Sequence, residues 1–224
     1  MKHFTFKFRL GFTMLELVMV IVVLGILASL ALPRLETDHT QDAADSILSS
    51  IRYTQHLAVN DDMHEHNNST WQRKYWHIVF SSCPTNDFYY IIGSDRDKTG
   101  ANNALFALNE AAIDPTNQKP MFYTCAANKT NSSKNIFLTD KYGIQNISTS
   151  GGCNGPQNGV NAMHIGFDHL GRPHYGFSQL NAPNYASYMR RQCTFTFTMQ
   201  NNDTFQIQIE PETGYAHIVN QNNS

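Results

Sequence analysis

The chain has little of what catalytic and metal-binding sequences display. It contains no Cys-x-x-Cys pair, no Gly-x-Ser-x-Gly and no glycine-rich phosphate loop. Redox dithiols, thiolate zinc sites, serine-hydrolase chemistry and nucleotide binding therefore have no motif here. No catalytic residue, cofactor or metal is expected, and the chain is read as a non-enzyme. It also lacks a basic excess, with 16 Lys and Arg against 18 Asp and Glu among 224 residues. That argues against general affinity for nucleic-acid phosphate, which needs a concentrated positive surface. Long apolar runs are absent as well, with one exception near the N-terminus.

From Phe12 to Leu32, 21 residues carry no charge except Glu16. At about 1.5 Å per residue a helix of this length spans roughly 31 Å, the thickness of a bilayer core. Lys2, Lys7 and Arg9 precede the run with no acidic residue among them. The positive-inside rule then keeps that end cytoplasmic and sends the rest across. A carboxylate inside such a run is costly and calls for a partner. No base within the run can serve, which leaves the amine that a cut just before Phe12 would create.

Gly11-Phe12-Thr13-Met14-Leu15-Glu16 resembles the processing signal of type IV prepilins and of the pseudopilins of type II secretion. The resemblance implies cleavage between Gly11 and Phe12, N-methylation of Phe12, and Glu16 as the assembly residue that pairs with the terminal amine of a neighbouring subunit. Pro33 falls where such helices commonly carry a proline. The implied partners are other pilins or pseudopilins through the N-terminal helix, a prepilin peptidase and methyltransferase, and an inner-membrane assembly platform. The implied location is the bacterial inner membrane, single-pass, with a periplasmic C-terminal domain that enters a pseudopilus or pilus. Removal of residues 1–11 would leave 13 basic against 18 acidic residues, about minus five.

Past Pro33, which should kink the rod, the helix is expected to resume. Thr37 or Asp38 can cap it, and Ala44, Ile47, Leu48, Ile51, Leu57 and Ala58 recur at three- and four-residue steps. From Trp71 onward short β-like runs appear, at Tyr75–Phe80, Phe88–Ile92, Ala104–Leu108 and Met121–Cys125. Near the end Phe195, Phe197 and Met199 alternate with polar residues, as do Phe205, Ile207 and Ile209, and Tyr215–Val219 follows a second turn. Three successive antiparallel strands with one apolar face are expected there, covered by the amphipathic helix.

The predicted fold class is thus α+β and pilin-like: a long kinked N-terminal helix, half membrane and half amphipathic, packed on one or more antiparallel β-sheets. Its predicted parts are a leader 1–11, an assembly helix 12–33, an amphipathic helix 34–60 and a β-rich domain 61–224. Within that domain an Asn/Ser-rich surface insertion is read at about 126–161.

Ile165-Gly166-Phe167-Asp168-His169-Leu170-Gly171-Arg172-Pro173 resembles an element of H-type minor pseudopilins and their pilus-associated relatives, and Ile207–Gly214 resembles their closing hairpin. Physically, Gly171 supplies a tight turn, Asp168 bonds its backbone, Arg172 follows, and Pro173 restarts an extended segment. The function implied is a minor pilin-like subunit of a secretion or pilus machine. The alternative is a DNA-binding minor pilin of an uptake pilus. DNA-binding relatives place arginines after the last glycine, whereas this chain reads Gly214-Tyr215-Ala216-His217, and it has Gln55 where relatives often have Arg. His217 and Arg190-Arg191 keep the DNA reading open.

Four cysteines, Cys83, Cys125, Cys153 and Cys193, allow three full pairings in an oxidising compartment. The preferred pairing is Cys83 with Cys125 and Cys153 with Cys193, which crosses the fewest elements. His64-Glu65-His66 and the series His164, His169, His174 raise a zinc question, but tetrahedral ligation needs convergence. His169 is expected at a hairpin tip, away from the other two.

Overall fold

A computed structural model of the chain describes residues 13–65, 67–98, 106–153, 163–177 and 182–220, without the side chains of 29–38. The leader and the cleavage pair Gly11-Phe12 lie outside the described residues. The chain divides into two compact units, residues 1–39 and 40–224.

One helix, α1, is assigned over Met14–Val59. Its N-terminus carries a cap that sequence reading passed over, for Thr13 Oγ1 accepts from the Glu16 backbone amide at 3.3 Å. Thr13-x-x-Glu16 is the pattern of a capping box, which satisfies amides that have no partner inside the helix.

The expected helix architecture is corrected in two respects. Pro33 falls inside α1 and no second helix starts at Thr37 or Asp38; proline costs one hydrogen bond, and here that does not end the element. Among the described residues, no helix is long and apolar enough to cross a membrane. That overturns the membrane half of the helix and the single-pass inner-membrane location. The strands form two separate four-stranded antiparallel sheets, within what was expected.

The first sheet has β1 (Trp76–Ser82), β2 (Phe88–Gly93), β4 (Met163–Phe167) and β5 (Pro173–His174) in the order β2-β1-β4-β5. The second has β3 (Ile144–Gly151), β6 (Cys193–Met199), β7 (Thr204–Ile209) and β8 (Ala216–Ile218) in the order β3-β6-β7-β8. All pairings are antiparallel. In β6 and β7 the alternation predicted from sequence is realised, with Phe195, Phe197, Phe205, Ile207 and Ile209 buried. Phe197 pairs with Phe205 and stacks on it at 5.0 Å. Asn202, at φ +66°, turns the chain between the two strands.

The two sheets meet at Phe80 of β1, whose ring lies 5.1 Å from Phe195 and 5.6 Å from Phe197. Ala43, Ala44, Ile47, Leu48, Ile51 and Ala58 of α1 are buried in the same core. Leu57, expected on that stripe, is half-buried, and Thr54 takes an inward place by bonding the Ser50 carbonyl at 2.8 Å.

Met121–Cys125, predicted as a strand, forms none. Met121 instead donates to the Ala112 carbonyl at 2.8 Å and accepts from the Ile92 amide at 3.0 Å. Of Ala104–Leu108 only its last three residues are described, and Leu108 begins a 3-10 turn, Leu108–Glu110. Residues 126–153 of the Asn/Ser-rich span hold part of the core. Ile136 and Leu138 are fully buried, a short helix α2 covers Leu138–Tyr142, and β3 follows. Cys83 is bonded to Cys125 and Cys153 to Cys193.

Phe80→Ala should open a cavity where both sheets meet and lower stability by about 3–5 kcal/mol, read as the shift in urea midpoint at unchanged slope.

Candidate functional site

The two segments singled out by sequence come together on one side chain. The turn after Asp168 joins β4 to β5, and the turn at Pro211–Gly214 joins β7 to β8. Gln55 of α1 reaches both: its Nε2 donates to the Gly171 carbonyl at 2.8 Å and to the Thr213 carbonyl at 2.9 Å. Gly171 has φ +77° and Gly214 φ +65°, values that L side chains resist. At Gly214 space is limiting as well, since a Cβ there would sit 2.3 Å from the Gly171 carbonyl oxygen. The two turns thus touch backbone to backbone. One helical turn away, Arg52 donates to the Ala216 carbonyl from Nη2 at 2.9 Å, and its guanidinium lies 5.7 Å from the Tyr215 ring. Tyr215 in turn stacks on His217 at 5.5 Å.

Asp168 organises the first turn. Its Oδ1 accepts from the Leu170 amide at 3.0 Å and the Arg172 amide at 2.9 Å. Its Oδ2 accepts from Arg172 Nε and Nη2, both at 2.7 Å, and lies 3.3 Å from His174 Nε2. The other His174 nitrogen meets Ser187 Oγ at 2.9 Å. Burial opposes ionisation of Asp168, but the hydrogen bonds from His174 and Arg172 prevail and hold the carboxyl well below the ordinary carboxylate range. A carboxylate so fully occupied has no lone pair free for acid–base work.

Beside this turn lies a cleft of about 410 Å³, walled by His64, Trp71, Tyr75, Arg172, His174 and Tyr188. Its walls are tied to each other: Trp71 meets Tyr75 edge-on at 5.3 Å, Tyr75 meets His174 at 4.7 Å, and Arg172 lies over Tyr188 at 5.5 Å. Burial, followed by the nearby Asp168 charge, raises the Tyr75 hydroxyl far above its ordinary value.

The structure does not bring the three spaced histidines together. His164 is buried in β4, His174 lies against Asp168, and His169 is exposed with Nδ1 3.6 Å from Asp62. His66 lies outside the described residues. One cluster that sequence reading missed is Asp95, Asp97 and Glu110, whose ligand atoms lie within 4.8 Å of one another. Both Glu110 oxygens already accept backbone amides, from Asp97 at 2.8 Å and Ala107 at 2.7 Å. That cluster therefore reads as a loop clasp, and an Asp-x-Asp pair was its one sequence signal.

Glu16 is exposed, and so are its apolar neighbours. Twelve large apolar residues between Met14 and Leu27 are each 47–88 % exposed, on all sides of the helix. Comparison with protein-family models, with curated proteins and with solved structures finds no match to this chain.

Asp168→Ala would strand two turn amides and the Arg172 side chain, at a cost of about 3 kcal/mol. Because the folded-state carboxyl is depressed, its stabilisation is complete above the ordinary value of 3.8 and is lost progressively as pH falls below it toward the depressed folded-state value. The urea midpoint of the wild type should fall as pH is lowered from 5 to 3, and in Asp168→Ala that dependence should flatten.

Proposed function

We propose that this chain is a minor pilin-like structural subunit of a type II secretion or type IV pilus machine. It is processed between Gly11 and Phe12 by a prepilin peptidase and methyltransferase, and it assembles into a fibre through its N-terminal helix. The observation that carries the reading is the helix after the processing motif, apolar and exposed on every side. A helix that is apolar all round is stable only when something covers it, and like helices of other subunits in a bundle supply such a cover. In that bundle packing and polar pairing select the register, since one apolar surround resembles another. Glu16 is the polar group available for this, paired with the amine of a neighbour's Phe12. The two disulfides fit an oxidising compartment.

The protein isolated from cells with an active peptidase should begin at N-methylated Phe12 by mass spectrometry; an intact Met1 overturns the reading. Glu16→Gln separates assembly from helix capping, because glutamine serves equally at the third position of a capping box but cannot pair with an amine as a charge. Cross-linking to other fibre subunits should fall at least tenfold in Glu16→Gln while helix content by circular dichroism is unchanged.

A second reading, DNA capture, is favoured by the Arg52, Tyr215 and His217 stack, since a cation over aromatic rings is a platform for bases. It requires a salt-sensitive shift of DNA by the full chain, weakened in Tyr215→Ala. No shift at low salt removes it.

A further inference from the structure

The register of the first sheet sets Gly93, His77 and Gly166 side by side across β2, β1 and β4, so all three share one face. That face is opposite to the one on which Ile78 and Phe80 point into the core. Both glycines serve as seats. A Cβ on Gly93 would lie 2.4 Å from the Phe106 ring, and one on Gly166 would lie 2.3 Å from the Phe177 ring. Both rings are fully buried, and both close on His77, with centroids at 5.1 Å and 5.6 Å.

His77 itself is fully buried between them. Its Nδ1 lies 2.6 Å from the Tyr75 carbonyl and so carries the donated proton, while its Nε2 has no hydrogen-bond partner among the described residues. Among the described residues no counter-charge acts on its titration, which is shifted by burial and by the Tyr75 carbonyl; the Asp95, Asp97 and Glu110 cluster lies in the loops that follow β2 and Phe106. Gly93 comes from β2, Gly166 from β4, and Phe106 and Phe177 from the two segments above the sheet. The titratable group facing it is another histidine, His164 of β4, with ring centroids 6.3 Å apart; beyond His164 lies the Tyr175 phenol, at 6.0 Å from that imidazole. A second proton on His77 would therefore place an uncompensated cation in a dry aromatic layer, which costs several kcal/mol unless the layer opens.

We propose that His77 is an acid-sensitive latch, whose protonation unseats Phe106 from Gly93 and Phe177 from Gly166 and uncovers this face of the first sheet. Burial pushes the closed-state imidazole down to about 4 from 6.5, with the Tyr75 carbonyl pulling weakly the other way. The opened layer takes the proton at the ordinary value. The closed form is thus fully favoured above pH 6.5, and its advantage is lost as pH falls from 6.5 toward 4. Linkage between those two values makes the open population roughly twenty-fold larger at pH 5 than at pH 7.

The test is hydrogen exchange by mass spectrometry on the full chain in a mild detergent that covers the apolar helix, with rates corrected for intrinsic pH dependence. Peptides covering 106–112 and 173–177 should lose roughly twenty-fold protection from pH 7 to pH 5 while β6 and β7 keep theirs. In His77→Phe, which keeps a ring and removes the titration, protection should be the same at both pH values. Unchanged protection in the wild type, or acid opening that persists in His77→Phe, overturns the proposal. Should His77→Phe fail to fold, a wild-type NMR titration decides. A His77 midpoint well below 6 with the Phe106 and Phe177 ring resonances moving on the same midpoint supports the latch. An ordinary midpoint with those resonances unmoved overturns it.

Discussion

A single carboxamide ties the globular unit together. The Gln55 nitrogen donates to carbonyls in two different turns, one closing a hairpin of the first sheet and the other closing a hairpin of the second. Helix and sheets are thereby held in one register, because a shift of α1 by one residue would leave two carbonyls without their donor. The glycines follow from the same constraint. Gly214 lies so near the Gly171 oxygen that no side chain fits, and both residues need positive φ. Arg52, three residues earlier on α1, repeats the grip on the last hairpin through Ala216. An arginine at 55 would alter a contact that is already complete, so glutamine at this place is a structural choice of this chain.

Two buried titratable groups near this frame illustrate opposite solutions. Asp168 is buried but surrounded by donors from Leu170, Arg172 and His174, so its charge is the stable form. His77 is buried with one nitrogen bonded and the other without a partner among the described residues, so its neutral form is the stable one. The first arrangement strengthens a turn across most of the pH range. The second makes an aromatic layer depend on a proton staying off. They lie on the same sheet, and hydrogen-bond inventory alone distinguishes them.

The N-terminal helix differs in kind from the globular unit. The unit from Thr40 onward buries its aromatic residues in its own core, with Phe80, Phe195 and Phe197 fully covered. Met14–Leu27 has no such internal cover among the described residues, and its large side chains stand out on every side. On the proposed reading, the chain keeps its fold in one part and its association in another. Glu16 belongs to both, as third residue of the helix cap and as a charge within an apolar surface.

Local chemistry made much of this legible before any coordinates. Alternation in β6 and β7, the turn glycines 171 and 214, and the role of Asp168 follow from short-range rules of periodicity and turn geometry. The sequence by itself also determined the apolar helix with Glu16 near its start, since those features depend on residue types along one segment. What it could not specify were relations between distant segments. Residues 126–153 look like a polar insertion because Asn, Ser and Lys dominate them, yet three apolar residues at 136–138 suffice to enter the core once α2 and β3 give them a place. The cysteines allowed three pairings; the one crossing the fewest elements, Cys83 with Cys125 and Cys153 with Cys193, is the one the fold brings within bonding distance. The Gly93, His77 and Gly166 row is invisible along the chain, for its members are 16 and 89 residues apart. Tertiary structure decided it, because strand register is what turns separate positions into neighbours and burial is what gives an ordinary histidine an unusual proton affinity.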